Sequence, residues 1–156
     1  MIYVFDTNSF SVLGNYYPNQ FPTFWQYFDQ TVKDGKIISV KEVERELQRY
    51  TRHPHLSDWI KQHKSIFVKP STAETQFVRQ IFLVPHFQNL VNEKNRLAGY
   101  PCADPFIIAL AKTINGCVVT EEKEKPNAPN IPNVCDHFGV PFTNLQGFME
   151  REKWTF

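Results

Sequence analysis

The sequence lacks any long apolar run. Nothing in it approaches the about eighteen consecutive apolar residues of a membrane helix, so a transmembrane role is excluded. It also lacks an excess of charge of either sign. A net charge of +1 with a pI near 7.7 leaves no global basic field for nucleic acid, so any anion-binding feature must be local. Cysteine is scarce. Cys102, Cys117 and Cys135 are an odd count at irregular spacing, which argues against both a zinc knuckle and a disulfide framework and fits a reducing compartment. The opening Met1-Ile2-Tyr3-Val4 has neither the basic flank nor the apolar core of a signal peptide. The expectation is a soluble, cytoplasmic protein without internal repeats, folded as a single domain over 1–156, since this length suits one domain with a real core.

Aromatic side chains are abundant: 14 Phe and 3 Trp suggest a core, and an interface, built on aromatic area. The chain is organised around Ile2-Tyr3-Val4-Phe5-Asp6. A short apolar run without alternation suits a parallel strand covered on both faces, and in such sheets ligands bind at the carboxyl ends of strands, where Asp6 falls. Asp6, followed by Thr7 and Asn8, also suits a plain helix cap. A short helix to Leu13 ends at Gly14, and Phe21, Phe24, Trp25 and Phe28 mark a packing helix closed by Asp34-Gly35. Lys36 to Val40 reads as a second strand, with Ser39 as the cap of a helix carrying Val40, Val43, Leu47 and Tyr50 on one stripe. At about 100° per residue Glu46 lies at the edge of that stripe, Glu44 at the opposite edge, and Glu42 one turn earlier towards the exposed side. Lys41, Arg45, Arg49 and Arg52 gather away from the core as a solvated face or a phosphate-binding stripe.

The His53-Pro54-His55 break reads as a loop, followed by a helix from Leu56 to His63, and Ser65 to Val68 reads as a strand or an extended connection. Residues Ala73 to Leu97 form a helical stretch interrupted at Pro85, and Gly99 to Ala103 a turn. Asp104 then suits the cap, and Pro105 the first position, of a helix apolar all round and therefore central. Cys117 to Thr120 is a strand ending in Glu121 and Glu122. A Pro- and Asn-rich loop, a helix from Ile131 to Phe138, an edge strand at Val140 to Phe142 and a final helix from Leu145 to Lys153 complete the chain. The alternation of elements predicts a three-layer α/β fold, with a mainly parallel sheet of about four to five strands flanked by helices. That topology gathers Asp6, Glu46, Asp104 and Glu122 at one sheet edge. Clustered carboxylates repel unless a cation compensates, and hard oxygen ligands suit Mg²⁺ or Mn²⁺.

These segments resemble the PIN domain, in particular the VapC-type toxins of bacterial toxin–antitoxin pairs. The resemblance rests on Val4-Phe5-Asp6-Thr7-Asn8, on Val43-Glu44-Arg45-Glu46-Leu47 and on Ala103-Asp104-Pro105-Phe106-Ile107-Ile108-Ala109-Leu110-Ala111, in that order across nearly the whole chain. Three departures stand out. Glu122 falls where the family more often has Asp, and Glu121 is the alternative fourth acid; Pro105 follows the third acid; and a Pro-rich loop from Pro126 to Pro132 replaces a tighter connection. The resemblance implies a metal-dependent endoribonuclease. Asp6, Glu46 and Asp104 would hold Mg²⁺ or Mn²⁺, with Glu42 the substitute for Glu46. Glu122 would act through a metal-bound water, and Asn8 or Thr7 would orient the phosphate or the water. Lys41, Arg45, Arg49 and Arg52 would guide the RNA backbone. An antitoxin partner and a homodimer are also implied. Two other classes stay open: a PIN-like protein that binds RNA or a partner without cutting it, and a phosphatase of the haloacid dehalogenase type. The phosphatase needs a second Asp where this chain has Asn8.

Overall fold

The structure is a computed structural model that describes residues 1–91 and 102–156. Strand β1 (Tyr3–Phe5) leads into α1 (Thr7–Leu13) and α2 (Pro22–Lys33). Next come β2 (Ile37–Val40), α3 (Lys41–Tyr50), α4 (Pro54–Gln62) and the two-residue β3 (Phe67–Val68). After α5 (Thr72–Leu83) and a 3₁₀ segment over Pro85–Leu90, the chain continues with α6 (Asp104–Ile114), β4 (Cys117–Val119), α7 (Ile131–Phe138), β5 (Phe142–Thr143) and α8 (Leu145–Arg151). The five strands form one sheet in the order β3-β2-β1-β4-β5, every neighbouring pair parallel, with Tyr3 opposite both Ile37 and Cys117. β1 is therefore central, as its unalternating apolar sequence requires.

Successive side chains of β1 face opposite ways. Tyr3 and Phe5 share the face that meets Phe148 of α8, at ring-centroid distances of 4.8 and 5.2 Å, both edge-on. Phe5 also meets Phe28 of α2 at 5.7 Å and Phe10 of α1 at 5.3 Å. Such pairs each add about 0.5–1.5 kcal/mol beyond the area they bury, so the many phenylalanines hold the helical layer on the sheet. The apolar α6 packs on β1, β2 and β4, and α5 covers α6 in turn. Its Ile107, Ile108, Ala109, Leu110 and Ala111 are all buried, as a helix apolar on every side demands.

Several local expectations need correction. Ser39 does not cap α3. Its buried hydroxyl donates to the Phe5 carbonyl at 2.6 Å, tying β2 to β1, and Val40 occupies the cap position without a side-chain bond. Tyr50 leaves the apolar stripe and is 55% exposed, while Glu44 is buried and receives Lys41 at 2.8 Å. α4 begins at Pro54 rather than Leu56, because proline is well suited to the first turn of a helix. α8 ends at Arg151 rather than Lys153, which has a positive φ of 59°. The helix expected beyond Leu90 and most of the turn before Ala103 lie outside the described residues.

Candidate active site

The first acid stands where β1 ends and α1 begins. Asp6 caps α1: its Oδ1 accepts from the Ser9 amide at 2.7 Å. Its Oδ2 accepts from the Thr120 hydroxyl at 2.6 Å, just beyond the end of β4. The two readings of Asp6, helix cap and sheet-edge acid, are therefore compatible. The residue is 2% exposed, and burial pushes its carboxyl up to about 6. The bonds from Thr120 and Ser9 oppose that rise, and the charge of Glu122 adds to it.

Glu46 reaches from α3 to the start of α6. Its Oε1 accepts from the Ala103 amide at 3.0 Å, and its Oε2 receives the Thr7 hydroxyl. Burial raises its pKa, and Glu42 on the preceding turn raises it further. Glu42 carries an anomaly: its Oε2 is buried without a hydrogen-bond partner among the described residues, while its Oε1 is 4.0 Å from Arg45. A buried, unpaired carboxylate oxygen is costly unless something supplies positive charge.

Asp104 is the first residue of α6 rather than its cap; Ala103 holds the cap position, and Pro105 follows within the first turn. The one-residue shift matters, because a capping carboxylate would fold back on its own amides. No described group donates a hydrogen bond to the Asp104 carboxylate. Its pKa stands well above the ordinary value, through burial first and then the charges of Glu122, Asp6 and Glu46. That influence ties the four sequence-derived acids into one field.

The fourth position is divided between neighbours. Glu122 donates its amide to the Thr120 hydroxyl at 3.1 Å, and its Oε2 accepts from the Ile131 amide at 2.9 Å, at the start of α7. Glu121 turns the other way and accepts from the Leu145 amide at 2.7 Å, at the start of α8. Of the two, Glu122 influences Asp6 and Asp104. Asn8 is exposed and makes no direct bond to the acids. It lines an open groove of about 470 Å³ with Ser11, Val12, Asn15, Glu121 and Glu122.

Among the described residues, no three Asp, Glu, His or Cys side chains are arranged to hold a metal ion as they stand. The donor set is nonetheless all oxygen. Asp104 has no described donor, and Glu42 Oε2 is buried and unpaired. These residues fit a hard divalent ion in chemistry and charge.

The basic residues are partly engaged. Lys41 pairs with Glu44, Arg45 stands beside Glu42 with its side chain 60% exposed, and the Arg49 guanidinium lies 5.6 Å from the Tyr50 ring centroid. Arg52 is exposed past the end of α3. Sequence reasoning missed Thr120 and the anchoring role of Thr7. Thr120 carried a usable signal, a hydroxyl residue closing an apolar strand immediately before two acids.

The order of strands, the central β1 and the acids at its carboxyl end define a PIN-like three-layer α/β fold. A family model described as "Domain of unknown function (DUF4411)" matches residues 3–156, and the chain belongs to that family. The solved structure of VapBC2 from Rickettsia felis bound to a DNA fragment from their promoter is similar in fold. It has a TM-score of 0.55 at 16% identity, covering 92% of this chain and 98% of that one. No curated protein matches the sequence. No helix among the described residues is long and apolar enough to cross a membrane.

Proposed function

We propose that this chain is a metal-dependent endoribonuclease acting as the cytoplasmic toxin of a toxin–antitoxin pair, with an antitoxin protein as partner and a homodimer as its assembly. The observation that carries the reading is Asp104: a carboxyl without a described donor, set in the field of Glu122, Asp6 and Glu46. Such an arrangement disfavours the charged forms of Asp104, Asp6 and Glu46, and a divalent cation would remove that penalty. Asp6, Glu46 and Asp104 are the residues that would hold Mg²⁺ or Mn²⁺, with Glu42 within the same charge environment. When bound, the ion supplies a more acidic water and neutralises charge developing on the scissile phosphate. The chain's own parts do the rest. Thr120 and Ser9 orient Asp6, and the Ala103 amide and Thr7 hydroxyl orient Glu46. Glu122, held by the Ile131 amide, keeps one oxygen without a described donor, at which a proton can be held. Asn8 positions the phosphate from the adjoining groove, and Arg45, Arg49 and Arg52 draw in the backbone. Lys41, paired with Glu44, contributes least.

A second reading is supported by the absence, among the described residues, of three side chains already set to hold an ion. On that reading the protein binds RNA or a partner without cutting. Incubating the purified chain with single-stranded RNA and millimolar Mn²⁺ separates the two. Cleavage that disappears with chelator and in Asp104→Asn supports the nuclease. RNA that is retained but never cut, at any Mn²⁺ concentration, decides for the binding protein.

A further inference from the structure

Pro18, Trp25, Asp29, His55 and Trp59 line a cavity of about 140 Å³ that shares no residue with the acidic site. Ligand pockets for whole small molecules run from about 300 Å³ upward, so this one admits a single side-chain-sized group and excludes a nucleotide. Its walls are fixed. The Trp59 Nε1 donates to Asp29 Oδ1 at 2.8 Å, the Trp25 Nε1 donates to the Tyr16 carbonyl at 2.6 Å, and the two indoles sit 6.2 Å apart.

Two polar atoms of the lining remain without a described partner. Asp29 Oδ2 has no described donor. The half-buried His55, whose ring lies 6.1 Å from that of Trp25 at 84°, has its Nε2 buried without a hydrogen-bond partner among the described residues. Leaving such a group unpaired costs about 1–3 kcal/mol, which a ligand carrying N–H donors would recover. Asp29 is the charged residue of the lining, so the ligand is a cation, and indole walls favour a cation further. A flat group with several donors can serve the Asp29 carboxylate and, with His55 in its Nδ1-protonated tautomer, the Nε2 as well, where a compact ammonium offers a single point charge. We propose that this cavity is a binding site for a guanidinium group. The exposed Tyr17, 5.7 Å from the His55 ring, provides a rim against which the rest of the ligand lies.

The test follows the tryptophan indole N–H resonances of the full chain by NMR during titration, to about 20 mM, with capped arginine (N-acetyl, C-methylamide) and with the equally capped citrulline, its neutral isostere. Saturable shifts of the Trp25 and Trp59 signals with arginine, and at least ten-fold weaker binding of citrulline, are expected. Asp29→Asn keeps an acceptor for the Trp59 indole and should weaken arginine binding at least ten-fold. His55→Phe should also weaken it while raising the melting temperature, because it removes the unpaired nitrogen. A hexapeptide with one central arginine separates the sources: tighter binding than the capped residue assigns the site to a polypeptide partner, and equal binding to a free guanidinium compound. Absence of a saturable shift, equal binding of citrulline, or unchanged affinity in both variants overturns the proposal.

Discussion

Replacing Asp6 with Asn should stabilise the metal-free protein and remove its response to metal. Asn keeps a carbonyl oxygen for the Ser9 amide, and the Thr120 hydroxyl can turn to accept from the new amide, so both bonds of Asp6 have a counterpart. What disappears is a buried negative charge. The Asp6 carboxyl is held at about 6 against an ordinary 3.8, and at about 1.4 kcal/mol per pH unit of separation the charged form costs the native state about 3 kcal/mol. Between those two values the native state binds more protons than the unfolded chain. Stability contributed by protonated Asp6 is therefore present at low pH, falls as the pH rises through the window, and is gone above about pH 6. The variant has no such titration, so its advantage should be about half developed at pH 5 and complete, near 3 kcal/mol, at pH 7.5. Urea denaturation in chelator at those two values measures the gap. With Mn²⁺ at about a hundred times its dissociation constant, the wild type should gain about 2.7 kcal/mol and the variant little, which closes the gap. A variant less stable than wild type in chelator at pH 7.5, or a gap equal at both pH values, would refute the reasoning.

Glu46→Gln should fold with a melting temperature within a few degrees of wild type, since an amide can serve both Ala103 and Thr7, yet lose at least 100-fold in Mn²⁺-dependent RNA cleavage. Arg45→Ala with Arg49→Ala should weaken RNA binding and flatten its salt dependence by about 0.7 per lost phosphate contact, as filter binding at two salt concentrations would read; an unaltered slope would place the RNA track elsewhere. Ser71→Ala breaks the capping box that Ser71 and Glu74 form at the start of α5, and should cost about 1 kcal/mol in urea denaturation without changing cleavage.

The parallel sheet was legible because β1 and β4 are apolar without alternation and because helices intervene between strands. β3 was legible only as one of two alternatives, strand or extended connection: at two residues it is too short to carry a period, and its pairing with Ser39 and Val40 is set by the sheet. Asp6, Asp104 and Glu122 were singled out from their places at element ends, and Glu46 from its place at the edge of the apolar stripe of α3. Their supports were not, because the Thr7 hydroxyl, the Ala103 amide and the Thr120 hydroxyl meet the acids across separations of 39, 57 and 114 residues. Ser39 misled for a simple reason. A polar side chain near a helix start has local partners by default, and only the assembled sheet shows Ser39 bonded to Phe5. The Asp104 offset of one residue lies within the ordinary uncertainty of a helix boundary, yet it decides whether the carboxylate serves its own helix or the cleft.

The central place of the first strand has a consequence for synthesis. β1 is made first, but one of its two neighbours, β4, carries the Val119 carbonyl that receives the Asp6 amide and is followed by the Thr120 hydroxyl that holds the Asp6 carboxylate. At translation rates of about 5–20 residues per second, the 114 residues between Asp6 and Thr120 take roughly 6–23 s to emerge. Throughout that interval the nascent chain has a central strand paired on one side at most, by β2, and no assembled acid cluster. A ribosome making this protein therefore carries a chain whose acid cluster is unassembled until β4 and Thr120 have emerged, and the same interval leaves one apolar edge of β1 open to whatever meets it first.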